Sequence, residues 1–471
     1  MTVENIDVSA ALEKVKRLLI EEPDISPAFK ASVELLMLVV SLLVNRLGRN
    51  SKNSSLPPSQ DPHRKKESRT NEEKRKPGGQ NGHKGTTLQK IANPQRIEKI
   101  AIDRRTIPRG TYTSAGYESR QVFDVKIDLC VTEYQAEILK DASGIQYVAP
   151  FPAGVTKAVQ YGNEVKSQSV YMSQFQLIPL ARVQDYFANE LGLPISKGSI
   201  SNFNREAYDL LAPFEVWARK KLLASPFINA DETGIDLNGK GIWLHNLSND
   251  KVTLYHADHK RGKEGMDRMD VLAHYHGYLI HDHMKSYYLY KNCIQCLCNA
   301  HHLRELERAF TEDHQTWAKA MQDFLIELNK VVDAAGGVLS TEKQIEYEDR
   351  YRDILREGDV ECLRPPPKEP GKRGRQKKSK SRNLLERLIN FEADTLRFMS
   401  VAIVPFTNNQ AENDLRMTKV QQKISGCFRS MEGARIFCRI RSFLSTCRKN
   451  NVSPTEALRL LFQGKLPPFM N

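Results

Sequence analysis

Three acidic residues, Asp231, Asp282 and Glu412, have the positions expected of a metal-binding site in this chain of 471 residues. Asp231 lies in a predicted strand, Asp282 ends another, and Glu412 opens a predicted helix. Hard divalent ions such as Mg²⁺ prefer oxygen ligands, and two of them about 3.5–4 Å apart can hold both the attacking and the leaving oxygen of a phosphodiester. Together the three residues predict metal-dependent phosphodiester chemistry.

Each of these residues alone has an ordinary structural alternative. An Asp at a strand end is more often a turn former or a helix cap than a metal ligand. Glu412 follows Asn409 by three residues, so it could simply close a capping box. Arg416 and Lys419 follow Glu412 on the same helical face and are candidates to hold phosphates. The metal-site interpretation therefore depends on the three acids meeting in space.

The order of predicted elements provides that meeting point. Residues 226–237 predict a buried strand, Asn238-Gly239 is a strong hairpin signal, and residues 241–247 and 252–256 predict two more strands. A helical stretch over about 263–274 leads into a fourth strand at 278–282. This is the order of the RNase H-like fold, in which the first and fourth strands lie side by side. Asp231 and Asp282, 51 residues apart, should then be neighbours.

A cluster of cysteine and histidine residues follows the fourth strand, comprising Cys293, Cys296, Cys298, His301 and His302. Residues at such short spacings can ligate zinc. The stretch 287–310 is predicted to be helical, however, and four tetrahedral ligands from one continuous helix have poor geometry. We therefore favour buried thiols and a hydrogen-bonded histidine over a zinc site.

Upstream, a predicted helix over 179–191 and a second short helix that carries Asn202 and Arg205 have the outline of a helix-turn-helix. The first helix should end at Gly192, and Ser196 or Ser199 should cap the second. Lys197, Asn202 and Arg205 on that second helix are candidate DNA contacts. Plain core packing of two helices is an equally good explanation of the pattern.

The charge of the chain indicates a polyanionic partner. Its 70 Lys and Arg against 57 Asp and Glu give a net charge of +13. Much of the excess lies in a basic, apolar-poor stretch that we interpret as a flexible linker, and in a second basic stretch at 365–382. Both could equally be no more than solvated linkers. With 40% hydrophobic residues, the chain as a whole should be folded.

Two further regions precede the predicted core. Two amphipathic N-terminal helices, the second beginning at Pro27, are candidates for dimerisation. Residues 123–131 alternate apolar and polar side chains and predict a half-buried strand in a small β-rich module. The longest apolar run, at 35–44, is too short to cross a bilayer. Eight cysteines without framework spacing fit reduced thiols in a cytosol, and we expect no signal peptide.

Seven motifs, in this order, resemble those of transposases of the insertion sequence sixty-six family, which belong to the DDE group. They are residues 50–59 (NSKNSSLPPS), 78–85 (GGQNGHKG), 230–234 (ADETG), 281–287 (HDHMKSY), 298–305 (CNAHHLRE), 408–412 (NNQAE) and 423–430 (KISGCFRS). The resemblance implies an RNase H-like core with Asp231, Asp282 and Glu412 as a DDE triad that binds two Mg²⁺ ions, for which Mn²⁺ can substitute. It also implies that Cys298 and His301 form a Cys-x2-His signature that shapes the core beside the site.

The chain departs from this family in two places. Relatives often carry two Cys-x2-Cys pairs in the small module, whereas Cys130 is its only cysteine here, so we expect a degenerate module without zinc. Met284 stands where relatives often have an aromatic residue.

These observations predict a multidomain α/β protein. The expected division is N-terminal helices at 1–48, a basic linker at 49–94, a β-rich module at 95–160, a helix-turn-helix-like region at 161–225, a catalytic core at 226–430 with a helical insertion at about 310–400, and C-terminal helices at 431–471.

The expected function is binding of terminal inverted repeats followed by strand cleavage and transfer into target DNA. We expect a homodimer or larger assembly at the bacterial nucleoid in the cytoplasm, with no membrane partner. Two alternatives are a metal-dependent nuclease without strand transfer and a non-catalytic DNA-binding protein derived from a transposase.

Overall fold

The computed structural model describes residues 2–3, 6–22, 25–47, 88–364 and 378–470. Most of the predicted basic linker, the motifs at 50–59 and 78–85, and residues 365–377 of the second basic stretch lie outside the described residues.

Within the described ranges the chain forms short and long strands together with many helices. The strands are β1 Thr2–Val3, β2 Ile6–Asp7, β3 Ile138–Lys140, β4 Gln146–Val148, β5 Phe227–Leu237, β6 Lys240–Ser248, β7 Thr253–Asp258, β8 Tyr278–His281 and β9 Ile294–Leu297. The α-helices are α1 Val8–Glu21, α2 Pro27–Leu47, α3 Asn163–Val170, α4 Leu180–Leu191, α5 Lys197–Leu210, α6 Ala212–Leu223, α7 Lys263–Asp267, α8 Asn299–Thr311, α9 Thr316–Ala334, α10 Thr341–Glu361, α11 Lys380–Asn390, α12 Glu392–Leu396, α13 Asn409–Ser425, α14 Met431–Lys449 and α15 Pro454–Phe462.

The centre of the protein is a mixed five-stranded sheet in the order β7-β6-β5-β8-β9. Strands β5, β6 and β7 pair antiparallel as a meander, and β8 pairs parallel with both β5 and β9. The turn between β5 and β6 places Asn238 and Gly239 at φ values of 49° and 84°, the left-handed conformation that Asn-Gly hairpins adopt most readily. The predicted α/β class, the meander and the placement of the first and fourth strands side by side are confirmed.

Strand β9 was not predicted, because residues 287–310 were expected to be helical throughout. The structure instead has a short 3₁₀ turn at Tyr287–Leu289, then β9, and only then α8. Cys296 and Leu297 are buried where β9 adds to the parallel edge of the sheet. A segment of four residues is too short to show a helical or strand period of its own, so pairing with β8 decides its conformation. The helical stretch predicted at 263–274 is also shorter, consisting of α7 and a 3₁₀ turn at Leu272–His274.

The strand predicted at residues 123–131 is wrong. These residues form no strand, and Val125 and Val131 are 80% and 83% exposed. Among the described residues 95–160, strands β3 and β4 pair as a hairpin. An alternating sequence becomes a half-buried strand only when a neighbouring strand and an apolar layer are available. Neither lies beside residues 123–131 in the described part of the chain.

Helices that precede and helices that follow the five strands in the sequence cover the sheet. Residues of α4, α5 and α6, together with α14 and α15, share one apolar cluster with Ile228, Ala230 and Leu254 of the sheet. Helix α14 also protects the edge strand β7, because the hydroxyls of Thr446 and Ser442 accept hydrogen bonds from the backbone N–H groups of Thr253 (3.0 Å) and Tyr255 (2.8 Å). These bonds occupy donors that an exposed sheet edge would leave open to another chain.

Between β9 and α13 the described residues are mainly helical. Helices α8 to α11 pack around a second apolar cluster that includes Trp317, Tyr351 and Leu385, and this cluster reaches the sheet at Ile280 and Cys296. The helices predicted as an insertion thus rest on the parallel edge of the sheet, next to the end of β8.

Helices α4 and α5 begin and end close to the predicted residues. Gly192 ends α4 at φ 59°, and the Ser196 side chain accepts a hydrogen bond from the backbone N–H of Ser199 at the start of α5. The use of this pair of helices to bind DNA stays a prediction. No helix in the described ranges has both the length and the apolar character that crossing a membrane requires.

Candidate active site

The register of the parallel strands sets Asp231 and Asp282 side by side. Asn229 of β5 pairs with Ile280 of β8, and each aspartate lies two residues beyond its member of that pair. Since side chains alternate across a strand, both aspartates project from equivalent positions at the same end of the strands. The backbone N–H of Met284 donates to Asp282 Oδ1 at 3.1 Å, which fixes one of its carboxylate oxygens.

Glu412 reaches the same place from α13. The first turn of α13 is held against the sheet by Asn408, which is fully buried and donates from Nδ2 to the carbonyl oxygen of Ala230 at 2.8 Å. The backbone N–H of Asn408 donates to Cys298 Sγ at 3.1 Å. Asn246 of β6 adds a bond from Nδ2 to the Ala411 carbonyl at 3.3 Å. These contacts fix the end of the helix that carries Glu412.

The capping-box explanation of Glu412 does not hold in the structure. Helix α13 is capped by Asn408, whose side chain makes no capping bond, and Asn409 is already its first helical residue. Glu412 is therefore available for contacts outside its own helix.

The charges of neighbouring carboxylates act on Asp231. Burial raises the pKa of Asp231 well above its ordinary value, and the negative charges of Glu232, Asp282 and Glu412 raise that pKa further. Two carboxylates raise each other's pKa in this way only at short range, where a cation would relieve the repulsion. Residues from β5, from the end of β8 and from α13 thus share one pocket of negative charge.

Glu232, next to Asp231, is held differently. Its side chain is 1% exposed and forms an ion pair with Arg261 at 2.8 Å. The Tyr287 hydroxyl donates to its other oxygen at 2.8 Å. Burial and the charge of Asp282 raise the pKa of Glu232, against the opposing effect of these two bonds. Glu232 is committed to packing and is a poor candidate for ligand binding.

Glu412 has only long ionic contacts. Its Oε1 lies 3.5 Å from Arg304 Nη2 and 3.7 Å from His301 Nδ1, and its side chain is 32% exposed. A permanent structural ion pair of Glu412 would exclude it from binding a metal. Contacts of this length, in contrast to the 2.8 Å pair of Glu232, leave the carboxylate able to exchange partners.

Cys298 and His301 lie directly beside Glu412. The ligand atoms of these three side chains are all within 4.8 Å of one another. Burial raises the pKa of Cys298 to about 11, so its thiol is neutral at physiological pH. Burial lowers the pKa of His301, and the nearby charge of Arg304 lowers it further. The other cysteines of the sequence cluster point elsewhere, since Cys296 packs in the second apolar cluster.

A family comparison completes the description of the site. The model of the transposase IS66 family matches residues 158–436, which is more than half of the chain and includes β5 to β9 and α13. The chain belongs to the transposase IS66 family. Membership makes it a DNA-processing enzyme, and the resemblance stated from the sequence motifs is confirmed. A family of unknown function, DUF6444, matches residues 3–89, and no curated protein matches the chain.

The predicted DNA contacts of this transposase are distributed over two places. Arg416 is exposed on α13, whereas Lys419 donates from Nζ to the Gly234 carbonyl at 2.6 Å. Burial lowers the pKa of Lys419. Lys197 and Asn202 are exposed on α5, and Arg205 of the same helix pairs with Glu432 of α14 at 2.9 Å. The three α5 residues thus lie on a different element from the three carboxylates.

Two residues that shape the site were not recognised from sequence. Asn408 positions α13, and Arg387 of α11 is a buried guanidinium that pairs with Glu305. Burial lowers the pKa of Arg387, while Tyr288 and Asp282 act in the opposite direction. Asn408 lies within a motif that carried the family resemblance, which was the available signal. Arg387 had no such signal, because only the packing of α11 brings it near Asp282.

Proposed function

We propose that this transposase cuts and joins DNA at the ends of its own mobile element, with Asp231, Asp282 and Glu412 as a DDE triad in an RNase H-like core. The observation that carries the proposal is the way three separate elements meet. Asn229 of β5 pairs with Ile280 of β8, two residues before Asp231 and Asp282, and Asn408 ties the start of α13, which carries Glu412, to the Ala230 carbonyl. Family membership and the sheet order β7-β6-β5-β8-β9 support it independently.

The donor set suits Mg²⁺, with Mn²⁺ as an acceptable substitute. All three side chains offer hard oxygen ligands, and their mutual repulsion favours uptake of divalent cations. Asp231, Asp282 and Glu412 would hold two ions, which stabilise negative charge on the attacking and leaving oxygens of a phosphodiester when bound. The long contacts of Glu412 with Arg304 and His301 leave it free to turn toward such ions.

The reaction needs no nucleotide cofactor. The first step hydrolyses a phosphodiester bond to products of lower energy, and the second exchanges one phosphodiester bond for another of equal energy. Water attacks phosphorus at the element end and gives a proton to solvent. The bond from phosphorus to the 3′ oxygen breaks, and that oxygen takes up a proton, which leaves a 3′-hydroxyl and a 5′-phosphate. That 3′-hydroxyl then attacks a target phosphodiester, and the displaced target oxygen takes up a proton. The role of the protein is to orient the attacking oxygen, the phosphorus and the leaving oxygen in line.

DNA would reach this site through basic residues outside it. The helix pair α4–α5, with Lys197, Asn202 and Arg205, is proposed to bind the terminal inverted repeats, and Arg416 and Lys419 the phosphates near the cut. Phosphate contacts make such binding strongly salt-dependent.

Two element ends require two active sites, so a homodimer or larger assembly is proposed, at the nucleoid. Helix α2 supports this, because Leu35 and Leu36 are 62% and 63% exposed in the single chain.

The test is a cleavage and joining assay with Mg²⁺, a duplex that carries the terminal repeats flanking the gene, and a supercoiled target plasmid. The transposase should yield nicked ends and joined products. Asp231→Asn, Asp282→Asn and Glu412→Gln should each lose both by about 10³-fold or more, while they keep normal binding to the same duplex. A matched control is Glu264→Gln, an acid in the first turn of α7 outside the carboxylate pocket.

The two alternatives give different results in this assay. A nuclease would produce nicks without joined products, and a non-catalytic DNA-binding protein would produce neither while it retained affinity for the ends. Undiminished cleavage by Asp231→Asn would rule out the proposed triad.

A further inference from the structure

Cys298, His301 and Glu412 have a combination of side chains that Mg²⁺ chemistry does not require. Within the described residues, this is the group in which three potential metal ligands come within 4.8 Å of one another. A thiol and an imidazole are soft or intermediate ligands, which suit zinc and disfavour Mg²⁺. The sequence argued against zinc because one helix cannot supply a tetrahedral set. In the structure the third ligand comes from α13 instead.

We propose that Cys298, His301 and Glu412 form a second metal site, selective for a thiophilic divalent ion such as Zn²⁺, whose occupation withholds Glu412 from the carboxylate triad. The metal-binding half of this proposal stands on the three side chains alone. Its regulatory half, inhibition by zinc, rests on the proposed function of Glu412.

The geometry of the three side chains fits a tetrahedral ion. Bonds of about 2.0–2.3 Å to N, O and S separate tetrahedral ligand atoms by about 3.3–3.8 Å. His301 Nδ1 and Glu412 Oε1 are 3.7 Å apart. The Nδ1 atom is buried and makes no hydrogen bond in the described structure, so a ligand position stands open. Cys298 lies at the N-cap of α8 and His301 in its first turn, which keeps both on one side of the helix.

The surroundings supply both favourable and opposing charge. The Glu412 carboxylate supplies negative charge 3.7 Å from His301 Nδ1, which favours a cation between them. Arg304 opposes binding through its 3.5 Å contact with Glu412. On binding, the Cys298 thiol loses its proton to solvent and the resulting thiolate bonds to the ion. The fourth tetrahedral position is left for water.

The first test measures binding without any use of DNA. Co²⁺, which replaces Zn²⁺ in such sites, is titrated into metal-free, full-length protein. We expect a thiolate-to-cobalt charge-transfer band that saturates at one ion per chain and disappears when Zn²⁺ is added. Cys298→Ala should lose this band. Cys438→Ala is the matched control, because it truncates a cysteine that is also buried, in an apolar cluster away from the site, and it should keep the band.

An absent band in the unmodified protein, or an unchanged band in Cys298→Ala, would overturn the site. Thermal melting checks that the variant folds. If Cys298→Ala does not fold, His301→Gln replaces it and should weaken Co²⁺ binding by at least about tenfold. Unchanged affinity in that variant would equally overturn the site.

The second test adds Zn²⁺ to the Mg²⁺-dependent cleavage assay. Because Cys298 also accepts the backbone bond of Asn408, the rate of each protein with Zn²⁺ is divided by its own rate without Zn²⁺. One equivalent should lower this ratio in the unmodified transposase and leave it near 1 in Cys298→Ala. Equal inhibition of both proteins would refute the competition for Glu412. A chain that binds Co²⁺ through Cys298 but never cleaves DNA would contradict the proposed function and leave the metal site standing, so the two failures are distinguishable.

Discussion

The substitution Asn408→Ala should separate catalysis from stability in this transposase. Asn408 touches none of the proposed substrates. It ties the start of α13 to β5 through its bond to the Ala230 carbonyl, one residue before Asp231. Removal of the amide should let the first turn of α13 move, and Glu412 moves with that turn.

The loss of stability should be moderate. The variant loses one buried hydrogen bond of 2.8 Å, for which about 1–2 kcal/mol is typical. The second bond, from the backbone N–H to Cys298 Sγ, is retained. The Asn408 Oδ1 atom has no hydrogen-bond partner in the described structure, so its removal adds no cost. For a protein of 471 residues, about 1–2 kcal/mol lowers Tm by roughly 1–2 °C.

The loss of catalysis should be much larger. A displacement of about 1 Å at a reacting centre can reduce rate by roughly 100-fold, and Glu412 has no tight contact of its own to hold it in place. We therefore expect strand cleavage at saturating Mg²⁺ to fall by about 100-fold while affinity for the end duplex is unchanged.

The matched control is Asn450→Ala. Asn450 donates two side-chain bonds of 2.8 Å to the carbonyls of Lys251 and Thr446, far along α14 from the carboxylates. Its replacement should lower Tm by a similar amount and leave cleavage within about twofold. Full activity in Asn408→Ala, or an equal loss of activity in both variants, would refute the positioning argument.

Three further predictions address the charge and capping of the protein. The pKa of Asp231 is higher in the folded protein than its ordinary value of 3.8. Ionisation of Asp231 therefore begins to oppose folding as the pH rises above 3.8, and it opposes folding fully above the raised pKa. Asp231→Asn should therefore raise the Tm of the metal-free protein at neutral pH, and this gain in Tm should shrink as the pH falls toward 3.8. A lower Tm of the variant at neutral pH would contradict the prediction. Arg416→Gln should weaken DNA binding and reduce the slope of log K against log salt by about 1, whereas the exposed Lys343→Gln on α10 should not. Ser196→Ala removes the cap of α5 and should lower the free energy of unfolding, measured by chemical denaturation, by about 1 kcal/mol. An unchanged denaturation midpoint would contradict this prediction.

The elements that could be predicted carry their signals locally. The hairpin at Asn238-Gly239 depends on two residues that accept positive φ, and the end of α4 depends on Gly192. Asp231 and Asp282 could be placed together in advance because the order of predicted elements is that of a fold in which the first and fourth strands lie side by side. The parallel register itself came from the structure.

The elements that could not be predicted depend on partners distant in sequence. β9 is a strand because β8 offers it a parallel edge, and residues 123–131 are not, because no such edge lies beside them in the described residues. The same is true in the site. The proximity of Cys298 to Glu412 depends on how α13 packs beside the start of α8. The spacing of these residues in the sequence does not indicate that packing.

The arrangement of positive charge around the carboxylates makes Glu412 the member of the proposed triad that can most easily change partners. Arg261 is bound tightly to Glu232, and Arg387 is paired with Glu305, so both guanidinium groups keep their partners when a cation arrives. Arg304 instead rests at 3.5 Å from Glu412, a contact that a divalent ion can replace at little cost because its Coulomb attraction for the carboxylate is greater. Binding of a metal ion by the carboxylates, or by Cys298 and His301 with Glu412, should thus require Arg304 to move away from Glu412. The softness of the ion decides whether it binds the oxygen ligands or the Cys298–His301 pair.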